Sequence, residues 1–164
     1  MQTTRTIPVR LDLEKYAPSF TGAMSQLDKA SVKQLDLVEL DARLRELVRI
    51  RASQLNGCAY CVDTHTKDAR SIGESEQRIY ALPVWREAPF FTERERAALG
   101  FTETVTLVAN NHVPAEAYHE VAAQLSPAEI AALLGLIVTI NAWNMLAVAS
   151  RAWEPAADRQ GELS

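Results

Sequence analysis

The chain has 164 residues, 48% of them hydrophobic and 23% charged, with a net charge of -4. That length suits a single domain, 1–164, with a modest core, and the absence of a dense Lys/Arg stripe argues against nucleic acid or an anionic membrane surface as a partner. Residues 1–16 mix Arg, Asp and Glu without a continuous apolar stretch, so no secretory signal is expected and a cytoplasmic location follows as the default.

No alternating apolar run long enough for a strand occurs, and the periodicity predicts an all-α fold. A first helix is expected from about Pro18 to Ala30. A second begins near Asp41, whose carboxylate can cap it, and runs to Gln54. Asn56-Gly57 is a stop signal, because both residues tolerate the left-handed conformation that closes a helix. The next helix spans about Gly57 to Ser71 and ends at Gly73, and a short one over Ser75–Ala81 is stopped by Pro83. Trp85, Phe90 and Phe91 lie in the long connection around Pro83 and Pro89 and are expected to pack in the core or at an interface.

Thr92 with Glu95 reads as a capping box opening a helix through about Val108. Pro114 fits the first turn of a helix ending near Leu125, and Ser126-Pro127-Ala128-Glu129 is a second capping box. The final helix is expected to reach about Trp153, with residues 154–164 forming a polar, flexible tail beyond a core over 14–153. Within it, Ile130 to Ala149 has only Thr139, Asn141 and Asn144 as clearly polar residues. A membrane span needs roughly 20 apolar residues, and two amides interrupt this run. A helix buried on most sides, partly by a second subunit, is the better reading. Ala131, Ala132, Gly135, Ala142 and Ala147 would permit close helix approach.

The chemistry concentrates around the two cysteines of the chain, Cys58 and Cys61, with His65 four residues on and Glu46 twelve residues before. At 100° per residue, Cys58, Cys61 and His65 fall within roughly 60° on one helical face. In one straight helix Glu46 would lie about 18 Å from Cys58. A reversal at Asn56-Gly57 instead brings Glu46 level with His65, and puts Cys58 in the first turn of the second helix, where free N–H groups favour a thiolate. In a reducing compartment such a close pair is more often redox-active or metal-binding than a structural staple. By the dipole Cys58 is the better thiolate; by spacing to His65, Cys61 is. The residues alone leave the attacking thiol open.

The stretch from Glu46 through Cys58-Ala59-Tyr60-Cys61-Val62-Asp63-Thr64-His65 to Ala69-Arg70 resembles the alkylhydroperoxidase D (AhpD)-like branch of the carboxymuconolactone decarboxylase superfamily. The specific match covers about residues 40 to 73, and Asn141 to Ala147 resembles the closing helix of small single-domain members. The resemblance implies an all-α AhpD-like bundle assembling as a homo-oligomer, trimer or hexamer, with thiol-dependent peroxidase activity. It implies that Cys61 attacks the peroxide and Cys58 resolves the sulfenic acid as a disulfide. His65, a bound water and Glu46 would relay the proton from Cys61, and a thiol or dithiol donor would restore the pair. No cofactor and no metal are expected. One departure is visible: Tyr60 stands where the best-characterised members carry a second His, and Tyr can donate a hydrogen bond but is no base near neutral pH.

Other readings of the same residues are a tetrahedral zinc site from the two thiolates, His65 and Glu46, a small-molecule-binding module, or a decarboxylase, since the superfamily includes decarboxylases without the cysteine pair. Glu46 could otherwise be solvated or paired with Arg43 or Arg49. Tyr60 is a candidate pocket residue. His112 and His119 read as structural or surface residues, and Arg51 and Arg70 as surface charges that could alternatively anchor an anion.

Overall fold

A computed structural model describes residues 7–155 and is all-helical, with no strand among the described residues. The helices in chain order are α1 (Leu13–Tyr16), α2 (Pro18–Leu37), α3 (Ala42–Asn56), α4 (Ala59–Ser71), α5 (Glu76–Ala81), α6 (Glu93–Thr106), α7 (Val108–Asn111), α8 (Ala115–Ala122) and α9 (Pro127–Ser150). A 3₁₀ turn, Leu82–Val84, carries Pro83.

Helix α3 is the hub, packed against α4, α6 and α9. Its start is fixed as expected, with the Asp41 carboxylate accepting from Leu44 N at 3.0 Å. Leu47, Val48, Ile50 and Ala52 on it are fully buried. One apolar cluster joins Leu35 of α2, Leu44 of α3, Phe101 of α6 and Leu133, Leu136 and Ile137 of α9. A second gathers Leu47, Leu82, Trp85, Phe91 and Leu99. Trp85 and Phe91 are therefore core residues, whereas Phe90 lies at the surface. Both expected capping boxes form, at Thr92/Glu95 and Ser126/Glu129.

Several boundaries differ from the sequence reading. Helix α2 runs on past Ala30 to Leu37, because Met24, Ser31 and Leu35 extend one buried stripe and no breaker intervenes before Glu39 at φ 50°. The four-residue α1, capped by Asp12, was not anticipated. Helix α6 ends at Thr106, where Leu107 leaves helical geometry. Pro114 is the N-cap of α8 rather than part of its first turn, and that helix stops at Ala122. Helix α9 stops at Ser150, because Arg151 adopts the left-handed conformation, φ 51°. Trp153 is thus outside the helix and folds back on it. Of the expected tail, Glu154 and Pro155 are exposed and non-helical; residues 156–164 lie outside the described residues.

Helix α9 is long and apolar enough to cross a membrane by length and composition, yet half of its most apolar window is buried inside the fold. The two amides that interrupt it hold it in place. Asn56 at the end of α3 donates from Nδ2 to Asn141 Oδ1 at 2.8 Å and to Asn144 Oδ1 at 2.9 Å. Asn144 Nδ2, fully buried, donates to Ser53 Oγ at 3.0 Å, and Asn141 Nδ2 donates to Thr106 Oγ1 at 3.1 Å. Removing one member strands buried polar partners, which costs about 1–3 kcal/mol. Asn144→Leu should therefore lower the urea midpoint by an amount corresponding to roughly 2 kcal/mol despite its added apolar surface; a midpoint unchanged from wild type would show that the network contributes nothing.

Candidate active site

The site begins at a turn. Gly57 occupies the left-handed region, φ 69°, as the C-cap of α3, and Gly57 N and Cys58 N donate back to Gln54 O and Ser53 O. A side chain at a left-handed residue is strained, so glycine suits this position. The next residue, Cys58, is extended and becomes the N-cap of α4, its sulfur accepting from Cys61 N at 3.2 Å. It was expected one position deeper, inside the first turn. The glycine turn delays helical geometry until Ala59, and a cysteine sulfur takes the place usually held by the side-chain oxygen of Ser, Thr, Asp or Asn.

Cys58 and Cys61 form a disulfide with Cα atoms 5.3 Å apart. Both are nearly inaccessible, 2% and 4% exposed. The reversal brings Glu46 of α3 against α4 as expected, and the contact is direct: His65 Nδ1 lies 2.9 Å from Glu46 Oε2. The other carboxylate oxygen of Glu46 accepts from Arg49. Glu46 is thus a buried, doubly paired acid, and Arg43 is not its partner. Burial pushes its carboxyl pKa up, but the hydrogen bond from His65 and the charge of Arg49 outweigh that and hold it below the ordinary 4.5.

Cys61 and His65 line one cavity of about 340 Å³. Its walls include Arg49 and Tyr60, together with Leu136, Ile140, Trp143 and Ala147 from α9, and Trp153 beyond it. Trp153 packs on Trp143 at 5.8 Å, edge to face, and on Tyr60 at 6.0 Å, tilted. Tyr60 is therefore a wall residue. Cys58 does not share this cavity, contrary to the single face expected for Cys58, Cys61 and His65, because it lies outside the helix. Trp143 and Trp153 were not singled out from the sequence. The spacing of Leu136, Ile140, Trp143 and Ala147 along one side of α9 was a readable signal for the first. The second depends on the left-handed Arg151, which no local residue preference announces.

The disulfide uses both sulfurs, so in this form the alternative zinc set keeps only two of its four ligands. Glu46, His65 and Asp68 place one ligand atom each within 4.8 Å, but Asp68 is exposed and Arg49 already engages Glu46, an arrangement that opposes a cation. Arg51 is not a surface charge: its Nε pairs at 2.7 Å with Glu103, which also accepts from Trp85 Nε1. Arg70 is exposed and pairs with Glu76. His112 and His119 are both exposed, as expected.

With fold and site in place, the comparisons with known proteins are specific. The carboxymuconolactone decarboxylase family model matches residues 18–104. The uncharacterized protein YdfG of Bacillus subtilis is 39% identical over 140 residues, 85% of this chain and 92% of the relative. A crystal structure from Agrobacterium tumefaciens, of a protein of unknown function considered a candidate antioxidant defence protein AhpD, superposes with TM-score 0.84 at 37% identity, over 92% of this chain and all of the other. The debrominase Bmp8 shares the fold at 21% identity, TM-score 0.70, over 85% of this chain and 73% of its own. The chain belongs to the carboxymuconolactone decarboxylase family and has the AhpD-like fold.

The depressed Glu46 carboxyl sets a pH dependence. An acid whose folded pKa lies below its unfolded value stabilises the fold above the unfolded value, and that contribution is lost as pH falls through the folded one. Glu46→Gln should therefore be less stable than wild type at neutral pH, and the gap in urea midpoint should close as pH falls below 4.5. A gap constant from neutral to acid pH would mean that Glu46 is not held ionised by its partners.

Proposed function

We propose that this family member is a thiol-dependent peroxidase, cycling Cys58 and Cys61 between dithiol and disulfide while His65 and Glu46 manage the proton. The observation that carries the reading is the disulfide of Cys58 and Cys61 beside a cavity that Cys61 and His65 line, with His65 paired directly to the buried Glu46. A thiol that reduces a peroxide needs a base within reach and a second thiol close enough to trap the sulfenic acid. In the proposed cycle, Cys61 gives up its proton to the imidazole and attacks the distal peroxide oxygen. The O–O bond breaks, an alcohol leaves with that proton, and Cys61 carries the sulfenic acid. Cys58 then attacks this sulfur, water departs, and the disulfide forms. Two electrons from a thiol or dithiol donor restore the pair.

Hydrogen bonding to Glu46 orients the imidazole and stabilises it when it holds the proton. The buried pair of Arg49 and Glu46 fixes the carboxylate itself. The antioxidant-defence connection of the Agrobacterium structure supports the same reading. Assembly into a homo-oligomer belongs to the proposal too. Leu134, Val138 and Met145 form an exposed apolar stripe on α9, 40%, 51% and 67% accessible, the kind of surface a second copy would cover.

Reduced protein treated with one equivalent of an organic hydroperoxide should lose both thiols, and a dithiol should restore them. Cys61→Ser should consume no peroxide; Cys58→Ser should be oxidised once and stall as an overoxidisable sulfenic acid. Equal full turnover in both variants would sink the assignment. Turnover that survives loss of both thiols would move the chain to carbon chemistry of the decarboxylase kind.

A further inference from the structure

The two cysteines open onto different cavities. Cys61 lines the one described above, and Cys58 lines a second, of about 350 Å³, from which Cys61 is absent. Tyr60, Ala147 and Trp153 line both, so the aromatic pair and one turn of α9 form a shared wall with one sulfur-bearing residue on each side.

The charges differ as well. The Cys61 cavity carries the carboxylates of Glu14 and Asp28, and its one arginine, Arg49, is bound to Glu46. The Cys58 cavity carries Arg10 and Arg151, with Glu154 as its one acid. Neither of these guanidinium groups is in an ion pair among the described residues. The segment that presents them is fixed, with Arg10 N and Leu11 N both donating to Ser150 O, at 2.8 and 3.1 Å.

Resting on the peroxidase reading above, we propose that the two half-reactions use opposite sides of the disulfide: a neutral hydroperoxide enters at Cys61, and the reductant, a small thiol bearing carboxylates, enters the Arg10/Arg151 cavity and attacks Cys58. The attacking thiolate forms a bond to the Cys58 sulfur, the bond between Cys58 and Cys61 breaks, and its electron pair leaves on Cys61, which takes up a proton by way of His65. A thiol of a second reductant molecule, or the same molecule's second thiol where a five- or six-membered ring can close, then attacks the reductant's sulfur in this mixed disulfide. Cys58 leaves as a thiolate and is protonated from solvent, and the reductant departs as a disulfide, having supplied two electrons. Attack from this side expels the cysteine that stands next to the His65/Glu46 pair, where the leaving thiolate finds its proton.

The test compares dimercaptosuccinate, an anionic dithiol, with neutral dithiothreitol on the full chain, each half-reaction followed separately by stopped flow. In the double variant Arg10→Glu, Arg151→Glu, and in the exposed single variant Arg10→Glu should the left-handed position tolerate no change, reduction by dimercaptosuccinate should slow by roughly tenfold for the double variant, and reduction by dithiothreitol by less than about twofold. Oxidation by hydroperoxide should keep its wild-type rate. Equal slowing of both dithiols, no slowing of either, or a matching loss in the oxidation step would overturn the two-sided assignment while leaving the peroxidase cycle standing. A wild-type protein whose thiol count responds neither to hydroperoxide nor to dithiol would instead remove the peroxidase reading, and this inference with it.

Discussion

The site depends on the reversal at Gly57. A left-handed residue at this point ends α3, turns the chain through an antiparallel hairpin and starts α4 two residues later. Three consequences follow from the one backbone conformation. Glu46, which a continuous helix would hold far from the cysteines, comes to 2.9 Å from His65. Cys58 becomes the helix cap, held against Cys61 N. The two cysteine Cα atoms end 5.3 Å apart, within the span that a disulfide bridges. Sequence-distant chemistry becomes local without a long loop to order, which limits the entropy lost in building the site.

A hairpin with this much polar machinery needs a rigid support, and α9 supplies it. The helix reads as a candidate membrane span until its amides are given partners. Asn141 and Asn144 meet Asn56 at the turn itself, one residue before Gly57, and Asn144 reaches Ser53, whose Oγ in turn bonds Arg49 O at 2.7 Å. The network therefore runs from the buried centre of α9 to the backbone carbonyl of the residue that grips Glu46. Satisfied buried polar groups of this kind fix a register more sharply than apolar packing alone, and here the register they fix is that of the helix carrying the cavity wall.

Much of this was readable in the sequence, and the parts that were not share a cause. The helical class, both capping boxes, the Asp41 cap and the reversal at Asn56-Gly57 rest on local chemistry with strong preferences, and they occur where expected. The meeting of Glu46 with His65 followed from counting residues on either side of the turn. By contrast, the length of α2 depends on which stripe of it finds α9, which is a tertiary matter. Asn56, the partner that Asn141 and Asn144 share, lies 85 and 88 residues away from them in sequence. Arg51 looked like surface charge because nothing local marks Glu103, 52 positions on, as its partner. The left-handed Arg151, which swings Trp153 over the disulfide, runs against its residue type.

Those same differences divide the molecule by role. Glu46, Cys58, Cys61 and His65 all lie within residues 18–104, the segment shared with the family. Tyr60 and Asp28 of the shared segment help to line the cavities that lead to them, but other lining groups come from outside it: Glu14 and Arg10 before, Trp143, Arg151 and Trp153 after. Ser150 is where the two ends meet, accepting from Arg10 and Leu11 through its carbonyl and from Ala152 N through its hydroxyl. On the proposed cycle, the pair is too buried to react with whatever diffuses past, and selection falls to cavities whose charge and aromatic surface are set in good part by the chain ends. Substitutions in the shared segment would then change whether the chemistry happens, whereas substitutions at the ends would change which peroxide and which thiol take part in it. Relatives with the same cysteine motif but different terminal segments are therefore expected to share a reaction and differ in partners.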